Sequence, residues 1–256
     1  MTFETILFEV ARSIARLTLN RPEKLNSFTR RMHAEIRQAL YLMEETRTAR
    51  VLIITGEGRG FCAGQDLSED EADLGAAIER DYAPLVRRLR ALPIPVVAAV
   101  NGVAAGAGAN LALACDVVIA TKSASFIQSF SKVGLMPDTG GTYFLPRLAG
   151  TARAMGLALF AERISAQQAA DWGLIWRCVD DDCFAKTVED VLNELAYGPT
   201  KAFARIKQAM YASTQNSLEK QLMLERDFMR KLGHSRDYRE GVAAFLGKRA
   251  PQFRGE

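Results

Sequence analysis

Three short apolar runs constrain this chain most: VLIITGEG (51–58) and PVVAAV (95–100), both bounded by Gly, Pro or Asn, and DVVIAT (116–121). Unbroken apolar runs of that length read as buried strands. An earlier segment, SIARLTLN (13–20), alternates in its second half as a strand with one wetter face does. Between it and the first run, Met32, Ile36, Leu40 and Met43 recur at helical spacing behind Thr29, a plausible N-cap. A further helix over about 105–114 precedes DVVIAT. Strands that alternate with helices predict an α/β layered domain with right-handed crossovers.

After Gly150 the pattern turns helical. TARAMGLALF, SAQQAADWG with Ser165 as N-cap, and amphipathic stretches over 184–196, 200–212, 217–231 and 236–246 follow one another, interrupted only by the strand-like LIWRCVD. The expected division is a core over 1–195 and a helical C-terminal region over 196–256. No low-complexity linker or obvious internal repeat separates them, so the helical tail is expected to pack on the core or on another subunit.

At 256 residues the chain can bury a substantial core, and its balance of 48% hydrophobic and 25% charged residues is that of a globular protein. Its longest apolar stretch, 95–120, is broken by Asn101, three glycines, Asn110 and Asp116, which excludes a membrane span. The N-terminus lacks the basic-then-apolar order of a signal peptide, and a cytoplasmic location is expected. A net charge of +3 without a basic, aromatic-interleaved cluster argues against nucleic acid and leaves a small anionic ligand open. Cys62, Cys115, Cys178 and Cys183 form no CxxC pair, and His33 and His234 lie far from them. Neither a metal site nor a disulfide framework is signalled, and the thiols are expected to be buried or semi-buried.

Two loops and one acid carry the chemistry. NGVAAGAGANLALACD (101–116) places Gly106-Ala107-Gly108 between a strand and a helix, but Leu111 stands where a dinucleotide fingerprint wants a small residue, and no Gly-Lys-Ser/Thr follows for a phosphate loop. Such a loop can instead offer backbone N–H groups to a developing oxyanion. GEGRGFCAGQDL (56–67) is a second loop of this kind after a strand. Together they could supply two donors to one oxygen, as an enolate needs; tight packing turns are the other reading. In GLMPDTGGTYFLP (134–146), Asp138 stands alone among apolar and small residues, either as Pro-Asp-x-Gly turn chemistry or as a presented carboxylate.

RPEKLNSF, GRGFCAGQDL and NGVAAGAGANLALACDVVIAT, followed by VGLMPDTGGTYFLPRLAG and the terminal FLGKRAPQF, resemble the enoyl-CoA hydratase/isomerase (crotonase) family in order over essentially the whole chain. The resemblance implies a ββα superhelix core with a C-terminal helical trimerisation region, trimers often stacked as hexamers, and coenzyme A thioester substrates with no separate cofactor. It assigns the oxyanion-hole N–H groups to Ala63 and Ala107. Lys24, Leu25, Gln65, Asp66 and Leu67 correspond to the wall that holds adenine and pantetheine, and Phe245 and Lys248 to tail positions that reach a neighbouring subunit's coenzyme.

Hydratases of the family use two glutamates, because adding water across a double bond needs proton transfer at both ends. Here the matching positions are Asn110 and Phe130, neither able to exchange a proton. Asp138 matches the position where isomerase-type members carry a carboxylate, and a single base can move one proton between two carbons of a dienolate. Desolvation by Phe130, Met136, Tyr143 or Phe144 would raise its pKa toward a useful range. Among isomerase-type members, the chain is most similar to those that turn the ring epoxide of an arylacetyl thioester into an oxepin and also shift a 3-enoyl double bond to the 2 position. A hydratase, a dehalogenase in which Asp138 attacks an aryl ring, and a non-catalytic acyl-CoA-binding or RNA-binding member are the alternatives.

Overall fold

The computed structural model describes residues 2–69 and 71–256. Its largest sheet has six strands, in the order β1 (Ile6–Ala11), β2 (Ile14–Leu19), β3 (Val51–Gly56), β5 (Val96–Val100), β7 (Val117–Thr121) and β10 (Arg177–Val179). The first two form an antiparallel hairpin and the rest run parallel. A second sheet of four short strands comprises β4 (Gly60–Cys62), β6 (Val103–Ala105), β8 (Ser125–Ile127) and β9 (Arg163–Ser165).

The chain steps between the sheets with a regular beat. β3 and β4 lead into α2 (Leu74–Ala77) and α3 (Ala83–Ala91), β5 and β6 into α4 (Ala107–Ala114), and β7 and β8 into α5 (Gly141–Ala149). This ββα beat is a repeat of backbone geometry that the sequence does not display, because each turn is built from different side chains. It is the layered α/β core that the apolar runs predict.

β3 and β5 are buried almost throughout because both faces of the large sheet are covered. Leu52, Ile54, Val96, Ala98 and Val100 join Met32, Ile36 and Leu40 of α1 (Arg30–Thr46) and the residues of α4. On the opposite face Val51, Ile53, Val97, Ala99 and Ile119 pack against Val188, Leu192 and Ala196 of α8 (Asp181–Tyr197). Thr29 caps α1 by accepting from Met32 N, and Ser165 forms a full capping box on α7 (Ala166–Asp171).

The last helices are α9 (Thr200–Ser213), α10 (Leu218–Leu232) and α11 (Arg236–Leu246). A buried Lys207 ties α9 to the core, its ammonium 2.7 Å from Asp116 Oδ2 and 2.8 Å from the Leu89 carbonyl. α10 buries none of its residues, and Leu218, Leu222, Met223, Met229, Phe245 and Leu246 stand exposed around it and α11. Cys62 and Cys115 are buried and Cys178 is half-buried, but Cys183 is exposed in the first turn of α8, which corrects the expectation for that thiol. Among the described residues no helix is long and apolar enough to cross a membrane, and no cluster of His, Cys, Asp and Glu has the makings of a metal site.

Candidate active site

β4 and β6 run parallel, with Cys62 opposite Ala104, so the loops that follow them emerge side by side. Gly108 makes this approach possible: a Cβ there would lie 2.3 Å from the Cys62 carbonyl oxygen. Gly106 takes φ +51° to swing the chain from β6 into α4. Ala107 is the first residue of α4, so its N–H has no intrahelical acceptor and points from a helix N-terminus.

The companion loop is held by Phe28. Its N–H donates to the Gly64 carbonyl at 2.7 Å, and its own carbonyl accepts from Asp66 N at 2.9 Å. Strand-like alternation then turns the Gln65 N–H away from Phe28, and it donates to no acceptor among the described residues. A Cβ on Gly64 would stand 3.4 Å from Ala107 N, which shows how closely the two loops run. The expected donor Ala63 is corrected by this geometry: its N–H donates to the Leu25 carbonyl at 2.9 Å. An amide spent on that internal bond is not available to a ligand, whereas those of Gln65 and Ala107 are.

Asp138 sits half-buried in a turn that α4 also controls. Asn110, fully buried on α4, donates from Nδ2 to the Asp138 carbonyl at 2.8 Å and accepts from Gln128 Nε2 at 2.9 Å. The turn presses on Asn110 so closely that a Cβ on Gly141 would lie 2.3 Å from Nδ2. Asn110 thus clamps the segment that carries the acid, and the same helix carries the Ala107 amide. Thr139, β-branched and buried, holds φ at 50°, a strained conformation of the kind found at sites where geometry matters. Its hydroxyl donates to Asp138 Oδ1 at 2.8 Å.

Burial pushes the Asp138 carboxyl above the usual carboxylate range, and the Thr139 hydrogen bond only partly opposes it. Phe130 is buried with its ring 3.7 Å from where a Gly106 Cβ would be, beside the α4 amide. Phe144 is buried against Gly140. Met136, expected among the shielding groups, is instead 68% exposed.

The other expected binding residues divide. Arg21 pairs with Asp66 at 2.8 Å and reaches the Ser27 carbonyl, and Asn26 bonds the Glu57 and Gly60 carbonyls. Asp66 is thereby a tie between two loops, held down to about 2 by Ser68 and Arg21. Lys24 and Leu67 are exposed at the lip and Leu25 is half-buried. Phe245 is exposed on α11 in an apolar groove with Met229, Tyr238 and Val242, and Lys248 follows it; no hydrogen bond or ion pair joins either to the loops of Gln65, Ala107 and Asp138.

Tyr82 and its helix escaped the sequence reading. Leu74, Ile78, Tyr82, Leu85 and Leu89 do recur at helical spacing, a signal that would have marked it. Tyr82 donates its hydroxyl to Gln65 Oε1 and lies within electrostatic reach of Asp138. His33 packs edge-on against it at 4.4 Å and stacks on Phe28 at 4.8 Å. Both His33 ring nitrogens are buried without partners among the described residues, and burial lowers its pKa to about 4, with Asp81 favouring the proton and Arg37 and Arg80 opposing it. The folded pKa lies below the ordinary 6.5, so this contribution to stability is present above pH 6.5 and lost as pH falls toward about 4. The melting temperature is expected to drop across that window, and His33→Leu to flatten the drop; parallel melting curves would refute the assignment.

This architecture is a shared one. Residues 9–256 match the enoyl-CoA hydratase/isomerase family, and the chain belongs to that family. It is 55% identical, over 99% of both chains, to the 1,2-epoxyphenylacetyl-CoA isomerase of Escherichia coli (strain K12). A Rhodobacter capsulatus protein named "Probable enoyl-CoA hydratase" is 49% identical over the full length of both. The crystal structure of the enoyl-CoA hydratase from Bacillus anthracis superposes with a TM-score of 0.92 at 32% identity, covering 99% of this chain and all of that one. The fold is therefore the crotonase fold.

Proposed function

We propose that the protein is a coenzyme A thioester isomerase that works through an enolate, with Asp138 as its single base. The observation that carries this reading is the use made of the two hydratase positions. Asn110 is consumed in clamping the Asp138 turn, and Phe130 is a buried ring, so neither can handle a proton. That composition speaks against hydration, although one close relative bears a hydratase name.

In this reading the thioester oxygen accepts from the N–H groups of Gln65 and Ala107. Each such donor is worth about 3 kcal/mol of transition-state stabilisation. Asp138 removes a proton from the α carbon, the electron pair delocalises onto the oxygen and along the dienolate, and the same carboxyl returns the proton at the γ carbon. Likeness to the E. coli isomerase extends the substrates to 2-(1,2-epoxy-1,2-dihydrophenyl)acetyl-CoA, with oxepin-CoA as product. Lys24, Leu25 and Leu67 line the coenzyme's path, and no separate cofactor is required, because coenzyme A is part of the substrate. The exposed apolar side chains of α10 and α11 fit a homotrimer or hexamer built by residues 196–256, in which Phe245 and Lys248 meet a neighbour's coenzyme. A cytoplasmic location suits such a substrate.

Incubation with a 3-enoyl-CoA in deuterated water tests the proposal. Migration of the double bond to the 2 position, with deuterium exchange at the α and γ carbons, is expected. Hydration to a 3-hydroxyacyl product as the main reaction would overturn it.

A further inference from the structure

The Gln65 amide can serve as a donor only if it is held still, and while Ala63 and Asp66 tie the backbone on either side of it to neighbouring loops, the Gln65 side chain has an anchor of its own. One strand-like bridge to Phe28 fixes the backbone on either side of it. The carboxamide end is fixed by the Tyr82 hydroxyl. Tyr82 also lies edge-on to the Phe28 ring at 5.7 Å and to His33 at 4.4 Å, so it touches both handles on the loop.

Its own placement comes from a break in helical regularity. Ile78–Tyr82 forms a π-helical turn between α2 and α3, and such turns rotate the side chains that follow relative to a continuous α-helix. Arg37 of α1 pairs with Asp81 in that turn and ties it to α1, and Arg80 within the turn pairs with the same carboxylate. The phenol is 4% exposed, and among the described residues its hydroxyl has no acceptor other than Gln65.

We propose that Tyr82 is a positioning residue of the oxyanion hole, which acts through the Gln65 side chain to aim the Gln65 N–H at the thioester oxygen. The inference rests on the enolate reading above. Tyr82→Phe keeps the ring and its packing while deleting the donor, and Gln65→Met deletes the acceptor. Each is expected to lower kcat by about tenfold, because a loosened donor loses part of the stabilisation it supplies only at the transition state, with KM within about twofold. The double variant is expected to fall no lower than the worse single one, since both remove one bond.

A second readout does not need turnover. A conjugated 2,4-dienoyl-CoA bound to the wild-type protein is expected to show a red-shifted absorption from polarisation of its carbonyl, and that shift should shrink in both variants. Wild-type kcat and an unchanged shift in Tyr82→Phe, or losses that add in the double variant, would overturn the proposal; should Tyr82→Phe fail to fold, Gln65→Met reads the same bond from its other end. Asp138→Asn separates the two readings. If it is fully active, or if the wild type shows neither turnover nor a red shift, the enolate reading and Tyr82's role fall together. If it is inert while Tyr82→Phe matches the wild type, only the role of Tyr82 falls.

Discussion

Replacing Asp138 with asparagine is expected to lower the rate of 3-enoyl-CoA isomerisation by about a thousandfold, the usual worth of a well-placed general base, with thioester affinity nearly unchanged. Asparagine has the same shape and leaves intact the backbone carbonyl that Asn110 holds and the contact with Thr139. Only the capacity to take a proton is removed. The same substitution is expected to raise the melting temperature at neutral pH. Burial lifts the folded pKa of Asp138 above its ordinary value, so its favourable contribution is complete below that ordinary value and is lost as pH rises through the raised one. At neutral pH the shielded charge is a cost that asparagine abolishes. In the wild type kcat should fall on the acid side through an apparent pKa above the usual carboxylate range. Undiminished isomerisation by the variant, measured by mass spectrometry of the labelled product, would eliminate Asp138 as the base.

Lys207→Met is expected to cost about 3 kcal/mol of stability, the scale for removing one partner of a buried ion pair. The ammonium satisfies the Leu89 and Ile94 carbonyls and Asp116 Oδ2 together, in a setting where its side chain is 6% exposed. Without it the Asp116 carboxylate keeps, among the described residues, the Tyr211 hydroxyl and Val96 N, and the Leu89 and Ile94 carbonyls lose the ammonium donor. For a chain of this size that cost corresponds to a fall of roughly 6–12 °C in melting temperature. Scanning calorimetry would measure it, and a loss under about 1 kcal/mol would mean that α9 docks chiefly through its apolar side chains. Because Lys207 lies outside the site, kcat at 25 °C should stay near the wild-type value.

The elements that were legible in the sequence are those whose cause is local. Thr29 and Ser165 cap helices because their hydroxyls bond amides three residues on, and 51–56 and 96–100 are strands because every side chain in them tolerates burial. The helix holding Tyr82 left a local signal of apolar spacing, but its π-helical turn did not, and the pairing of Asp81 in that turn with Arg37 joins residues far apart in the chain. The small second sheet was missed for a related reason. Its strands are three residues long, too short for any alternation to register.

At the candidate site the same division holds. Residue type and motif position mark Asp138 as the candidate acid and show that Asn110 and Phe130 cannot stand in for a glutamate pair. Which amide is free was not legible: Ala63 and Gln65 lie two residues apart in one loop, and the Leu25 carbonyl, brought from a distant turn, occupies the first and leaves the second. Nor could the chain reveal that Asn110 clamps the acid's own backbone, or that Tyr82 reaches Gln65. Periodicity, capping and turn chemistry depend on neighbours along the chain and are written in it. The freedom of a donor, the shielding of a charge and the aim of a side chain depend on neighbours in space, which only the packed ββα layers supply.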